Sequence, residues 1–426
     1  MRLRPCTGWL LSTAWAMACT AGLVSGGDWP RFRGPNGTGV ATDKEVPIKW
    51  TLEDGVLWKV PLPGKGNSSP VIAGNRLFIQ SASTDAKERL LLCLDTNTGK
   101  VLWTQTASGG PAPAKGLGPS SQNTLASSTP AVEGDRVFVV YWDGTNVRLQ
   151  AYGIQGELLW KQELGTFKSQ HGPGFSPVAY DGKVFVMKDQ DGAAAVLAFD
   201  SATGKKLWEA ERKPFRACYS TPFLRALPGG ATELIVVSTA GITAYEPKTG
   251  AENWNYTWSF AKAPLRTVAS PLLANDLIFA QSGDGSGDRH TIAVRLGDKT
   301  QQSLVWENRK PRLFPYVPGM LSVGDYLYWV NDEGKAACYV AKTGEEVWSN
   351  RLSTGTVSAS PILVDGKIYA IDEAGEVYVF EAAPTFKLLA KNSVGELVRA
   401  TPAVSNNRLY IRGEEHLFCI GKTSTK

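Results

Sequence analysis

The residues best suited to bind something stand just ahead of a dipeptide that the chain repeats. They are Lys65 and Asn67, then Asn123, His171, Arg216 with Tyr219, Arg266, Arg312 with Tyr316, and Arg399. A guanidinium plane offers a rigid fork of donors that captures carboxylate or phosphate bidentately. At nearly equivalent positions of a repeat, such groups describe a cationic collar for an anionic ligand or an acidic surface of a partner. The bland alternative is that they cap carbonyls or pair with acids such as Glu211 and Glu396.

No other spacing supports catalysis. His171, His290 and His416 are scattered without a zinc-ligand interval. Asp284-Gly-Ser286-Gly-Asp288 and Asp189-Gln-Asp191-Gly192 alternate oxygen donors, but Ca²⁺ wants six to eight oxygens and a late bidentate acid. Turn chemistry suffices for both, so no metal site is read. Neither a Gly-x-Ser-x-Gly elbow nor a Gly-Lys-Ser/Thr phosphate loop is present. No catalytic residue is assigned.

The elements that would position the collar come from two out-of-phase repeats. Ser69-Pro70, Thr129-Pro130, Ser176-Pro177, Thr221-Pro222, Ser270-Pro271, Ser360-Pro361 and Thr401-Pro402 each precede a short apolar stretch, and Pro318-Gly319 fills the eighth place in degenerate form. The second repeat is a small residue, a turn ending in Gly, and Trp four residues on: Cys93…Gly99…Trp103, Ala198…Gly204…Trp208, Ala244…Gly250…Trp254 and Cys338…Gly344…Trp348, with Ala151…Gly156…Trp160 one residue shorter. Alternating runs split by Gly/Asn/Asp turns read as antiparallel hairpins. Four strands per repeat in eight repeats predict an all-β, eight-bladed β-propeller. Val56 to Val60 is expected to complete the last blade, so that an N-terminal strand closes the ring and leaves no open edge. Trp58, Trp103, Trp160, Trp208, Trp254, Trp306 and Trp348 are structural, docking one blade on the next, with Leu389 or Ala390 in the eighth place. Each buried indole removes roughly 150–250 Å² from water, about 4–6 kcal/mol as an upper figure.

The motif small-x-Asp-x-x-Thr-Gly-Lys-x-x-Trp resembles the docking repeat of the quinoprotein (PQQ-type) β-propeller family. That family holds the PQQ-dependent dehydrogenases and BamB-like outer-membrane assembly proteins. Asp28-Trp-Pro-Arg-Phe-Arg-Gly-Pro-Asn-Gly-Thr-Gly39 is similar to the leader of secreted, planctomycete-type PQQ-like repeat proteins. The resemblance covers about residues 28–421 and is specific for fold, not for activity. For a quinoprotein dehydrogenase it implies PQQ with Ca²⁺, a vicinal Cys-Cys disulfide, acidic and amide metal ligands and an Asp base. This chain has no adjacent cysteines, basic rather than acidic loops at the collar, and no Cys-x-x-Cys-His for haem. No cofactor is therefore expected. The reading is a non-catalytic scaffold or ligand-binding platform similar to BamB, the alternative a degenerate quinoprotein oxidoreductase.

Residues 1–26 read as an export signal, with Arg2 and Arg4 before an apolar core too short to span a bilayer. Cys19 after Ala18 offers a lipid attachment, although Ala16 departs from a lipobox. Residues 27–55 read as an irregular strap, 56–421 as the propeller and 422–426 as a disordered tail. The expected location is exported: periplasmic, outer-membrane associated or secreted. Cys93, Cys338 and Cys419 fill the repeat's small-residue slot, which argues against a disulfide framework. A net charge of +5 without a basic-aromatic stripe excludes a nucleic-acid partner. The expected partner is another envelope protein or an anionic ligand at the channel mouth.

Overall fold

In a computed structural model, residues 27–110, 123–258, 265–297 and 301–422 are described. The export signal with Cys19, and residues 423–426 of the tail, lie outside them. The described strands form eight antiparallel blades of four, the seventh extended by one short parallel strand, arranged as an eight-bladed propeller. The first blade runs through Val71–Ala73, Arg76–Ala82, Glu88–Asp95 and Val101–Ser108 in spatial order. The eighth is built from Ala403–Ser405, Arg408–Arg412 and His416–Ile420, and its outer strand is Val56–Pro61 from the other end of the chain. Trp58 stands opposite Cys419 in that closing pair.

One local device is repeated in every blade. The small residue of the third strand faces the Trp of the fourth: Cys93 with Trp103, Ala151 with Trp160, Ala198 with Trp208, Ala244 with Trp254, Ala293 with Trp306 and Cys338 with Trp348, while Val379 faces Ala390 in the seventh blade. The ladder slips at that pair in all eight blades. Such a bulge re-aims a side chain, and here it aims the indole at the next blade. Trp58, Trp103, Trp160, Trp208, Trp306 and Trp348 donate their indole N–H to carbonyls of the following blade, namely those of Thr96, Ile154, Ser201, Pro247 for Trp208, Ala341 and Ala383. Trp254 departs from this, donating to the Glu233 carboxylate of its own blade at 3.2 Å. The fifth blade lacks the Thr-Gly turn that would receive it.

The apolar clusters accordingly lie between blades rather than in a central core. Cys93, Cys218, Cys338 and Cys419 are buried and free. Burial pushes the Cys93 and Cys338 thiols up to about 11 and Cys419 to about 12.

Residues 28–41 run along the free inner edges of first strands. Trp29 bridges Ile72, Pro30 accepts from Val132 N–H at 2.7 Å, Asn36 exchanges two bonds with Leu224, and Val40–Ala41 pairs in parallel with Ile362–Val364 of the seventh blade. Trp29 and Trp50 are buried. Ile48 and Trp50 clasp the Asn392 side-chain amide through two bonds of 3.0 Å. These contacts fuse the seventh, eighth and first blades into one cluster.

Candidate functional site

The propeller axis opens into a cavity of about 600 Å³. All seven hydroxyl residues of the Ser/Thr-Pro series line it. They link blade to blade: Ser69 N–H donates to Thr129 Oγ1, Thr129 N–H to Ser176 Oγ, Thr221 N–H to Ser270 Oγ, Gly319 N–H to Ser360 Oγ and Ser360 N–H to Thr401 Oγ1, at 2.9–3.2 Å. Each accepting oxygen thus spends a lone pair on the backbone and keeps its O–H to donate. The belt that ties the blades together presents its hydroxyls to the cavity.

The floor is Phe32 from the strap. Its neighbours anchor it to the fourth and sixth blades: Arg31 donates to the Pro222 carbonyl and Arg33 to Met320 O at 2.6 Å. Both guanidiniums are buried, and burial without a carboxylate lowers each to about 10. The chain's own strap thus contributes Phe32 to the cavity lining.

The residues expected to form a collar divide into two groups. Asn67, His171, Tyr219, Tyr316 and Arg399 line the cavity, as does Asn123. Lys65, Arg216, Arg266 and Arg312 do not. Lys65 pairs with Glu414 at 3.0 Å and Arg312 with Glu333 at 2.9 Å, both exposed. Arg399 pairs with Glu373 at 3.2 Å while still bordering the cavity. Acids from neighbouring turns thus pair with three of these cations, Lys65, Arg312 and Arg399.

Arg216 and Arg266 behave differently. Both donate to Gln170 Oε1, at 3.4 and 3.1 Å. Arg266 is 5 % exposed, its Nε has no partner, and among the described residues no carboxylate lies within ion-pair distance. Burial, then Arg266 and Arg216, lowers the pKa of His171 and favours neutral imidazole. Burial pushes Tyr219 up to about 12. Tyr316 is held by its backbone N–H on Asp332 at 2.7 Å and by Arg289, 5.3 Å from its ring centre.

The acidic loops are committed elsewhere. Asp284 Oδ1 accepts from the Ser286 hydroxyl and the N–H groups of Ser286, Gly287 and Asp288. Asp189 forms a buried pair with Arg212 Nε, both oxygens at 3.0 Å. Arg212 spends its other nitrogens on Thr243, Tyr245 and Ser238. Glu396, Glu415 and His416 place one ligand atom each within 4.8 Å, but both Glu396 oxygens already accept, from Glu415 N–H and His416. Against the PQQ–Ca²⁺ chemistry of the quinoprotein fold, the cavity fits poorly. Its lining holds hydroxyls, amides, imidazole, phenols and guanidinium, and among the described residues no carboxylate or thiol. A divalent ion needs anionic oxygens.

Sequence reasoning missed the hydroxyl belt, Phe32 and Arg33. The belt was visible as an unvarying hydroxyl before Pro, taken only as a strand marker.

Fold and cavity together define a PQQ-type propeller with a hydroxyl-lined axial pocket. The chain belongs to the family described as outer membrane protein assembly factor BamB, whose model matches residues 12–126, 51–154, 145–312 and 293–385. It is 23 % identical to the outer membrane protein assembly factor BamB of Burkholderia pseudomallei over 82 % of each chain. It is equally 23 % identical to a polyvinylalcohol dehydrogenase of Sphingopyxis over 80 % of this chain, which spans about half, 52 %, of that relative. Among solved structures, BamB of Moraxella catarrhalis superposes with TM-score 0.62 at 15 % identity, covering 87 % of this chain and 98 % of that one. A europium-containing methanol dehydrogenase superposes with 0.69 at 14 % identity, covering 92 % and 91 %. At such identities these likenesses establish the fold alone.

Proposed function

We propose that this chain is a non-catalytic, exported platform of the cell envelope that binds a partner protein or an anionic ligand at its channel mouth. The observation that carries the reading is the axial lining, which holds hydroxyls, amides, an imidazole, phenols and a guanidinium and, among the described residues, no carboxylate to hold a metal or act as a base. The family and the BamB relatives, assembly factors by name, support a scaffold beside the outer membrane. In the described residues no helix is long and apolar enough to cross a membrane. Attachment would then run through a partner or through a lipid on Cys19.

The second reading, a degenerate quinoprotein oxidoreductase, draws on the two dehydrogenase likenesses. Adding PQQ and Ca²⁺ to the purified protein and following dye reduction with alcohols and sugars separates the two. The platform reading expects no turnover above the protein-free control; sustained, substrate-dependent reduction overturns it. Co-purification from the native envelope then identifies what the platform holds.

A further inference from the structure

We propose that Glu396, Glu415 and His416 form a binding site for a Zn²⁺ ion at the seam where the ring closes, apart from the axial cavity. The inference goes beyond the platform reading and does not depend on it. Each of the three residues brings a ligand atom within 4.8 Å of the others. They come from separate stretches of chain: Glu396 from the crossover between the seventh and eighth blades, Glu415 and His416 from the last hairpin of the eighth. Glu414 N–H donates to Leu397 O at 2.8 Å, which fastens that hairpin to the crossover. Leu62 N–H donates to Glu415 O at 2.8 Å, and His416 stands opposite Pro61 of the closing strand. An ion held here links the crossover to the hairpin on which the closing strand is paired.

A departure from the repeat brings the first carboxylate in. In the sixth and seventh blades the corresponding turn is capped by its own first residue: Asn331 Oδ1 accepts from Glu333 and Lys335 N–H, and Asp372 Oδ1 from Glu376 N–H. The eighth blade has Gly413 at that place, where a Cβ would come within 2.4 Å of Glu396 Cδ. Glu396 occupies the space instead and caps the turn from outside, Oε2 accepting from Glu415 N–H at 2.8 Å. Backbone bonds of this kind orient metal ligands, and Oε2 keeps a second lone pair. The cap needs nothing more, yet Oε1 is aimed at His416 Nδ1, 3.2 Å away. Zinc bonds of about 2.0–2.2 Å set the ligand atoms of a tetrahedron roughly 3.3–3.6 Å apart, so this pair already spans one edge. The metal takes the place of the shared proton, which goes to solvent. Glu415, exposed beside them, supplies the third ligand, and water the fourth. Two carboxylates this close repel until a cation joins them, and Lys65 spends its charge on Glu414 at 3.0 Å. An imidazole with two carboxylates suits Zn²⁺ better than Ca²⁺, which wants six to eight oxygens.

Competition against a chromophoric zinc chelator on the full, untagged mature chain tests this, with uptake of a single equivalent of Zn²⁺ expected. Glu415→Gln changes an exposed residue and leaves the Glu396–His416 contact in place. It should keep the fold, read by circular dichroism, while weakening zinc at least about tenfold. His416→Gln removes the nitrogen ligand and should abolish uptake. An ion bound only by the folded state stabilises it. Chelation should therefore lower the thermal midpoint of the zinc-loaded wild-type chain and leave that of Glu415→Gln nearly unchanged. Ca²⁺ in equal amount should not displace the zinc. No uptake, uptake undiminished in Glu415→Gln, Ca²⁺ bound as tightly as Zn²⁺, or a midpoint indifferent to chelation overturns the proposal. Dye reduction with PQQ reads the axial cavity, so a failure of zinc binding leaves the platform reading standing, and turnover would reject the platform whatever the zinc does.

Discussion

A Cβ placed on Gly319 would lie 1.3 Å from Nη1 of Arg33. The single blade whose Ser/Thr-Pro marker has degenerated is therefore the blade into which the strap drives an arginine. Arg33 sits at φ 61°, donates to Met320 O at 2.6 Å, and comes to rest where the sixth hydroxyl of the belt would otherwise stand. Gly319 keeps its place in the belt through its N–H alone, bonded to Ser360 Oγ at 2.9 Å.

Gly319→Ser restores the repeat in sequence and should damage the protein. The new side chain must expel the Arg33 head, and overpacking of this kind costs about 1–3 kcal/mol. Arg33→Ala removes the obstruction but strands a buried carbonyl, at about 1–3 kcal/mol. The double variant should be more stable than the sum of the two losses, with a coupling of roughly 0.5–3 kcal/mol. Chemical denaturation of the four proteins reads this directly; strict additivity would mean that the two residues do not compete for space.

Much of this architecture was legible beforehand, because the fold is written in spacing. Gly99, Gly204 and Trp208 announce a turn and a docking strand without knowledge of any distant residue, and Trp58 ahead of the first marker announces the closing strand. The cavity was legible only in part. Tyr219, His171 and Arg399 were found from their position before the markers, yet whether an arginine faces the axis or a neighbour depends on acids such as Glu333, Glu373 and Glu414, supplied from other turns. Phe32 and Arg33 had no repeat to place them. A segment outside the periodic pattern reveals nothing of which inner edges it will follow.

Acidification should weaken the fold before its carboxylates titrate. Burial, with Arg266 and Arg216 adding to it, lowers the pKa of His171; burial also lowers that of His290, against the opposing hydrogen bond to Glu307. The unfolded chain binds both protons near the ordinary value of 6.5, and the folded one does so only at lower pH. Between those points the unfolded state carries more protons, so stability falls as pH drops through about 6.5 and levels off once the folded imidazoles charge. Denaturation midpoints should decline between about pH 8 and pH 5.5, and His171→Gln with His290→Gln should flatten the decline. A midpoint constant over that range would show that neither ring is held neutral by the fold.

The glycines offer a way to weigh blade docking apart from backbone strain. Gly182 and Gly204 share φ 71°, one in a hairpin turn and one in the docking motif. A Cβ on Gly182 would meet nothing within 4 Å, whereas on Gly204 it would come within 2.6 Å of Trp160 Cδ2, across the joint between the second and third blades. Both substitutions to Ala incur the left-handed penalty of about 1–2 kcal/mol. Gly204→Ala must in addition push the indole off the turn and break its hydrogen bond to Ser201 O, adding about 1–3 kcal/mol of misfit. The two unfolding free energies should therefore differ by that second amount, with Gly204→Ala the less stable, and the native tryptophan fluorescence should shift only in that variant. Equal losses would mean that the glycine serves its turn alone, and that the joint between blades rests on the apolar faces of the sheets rather than on the indole's fit beneath the loop.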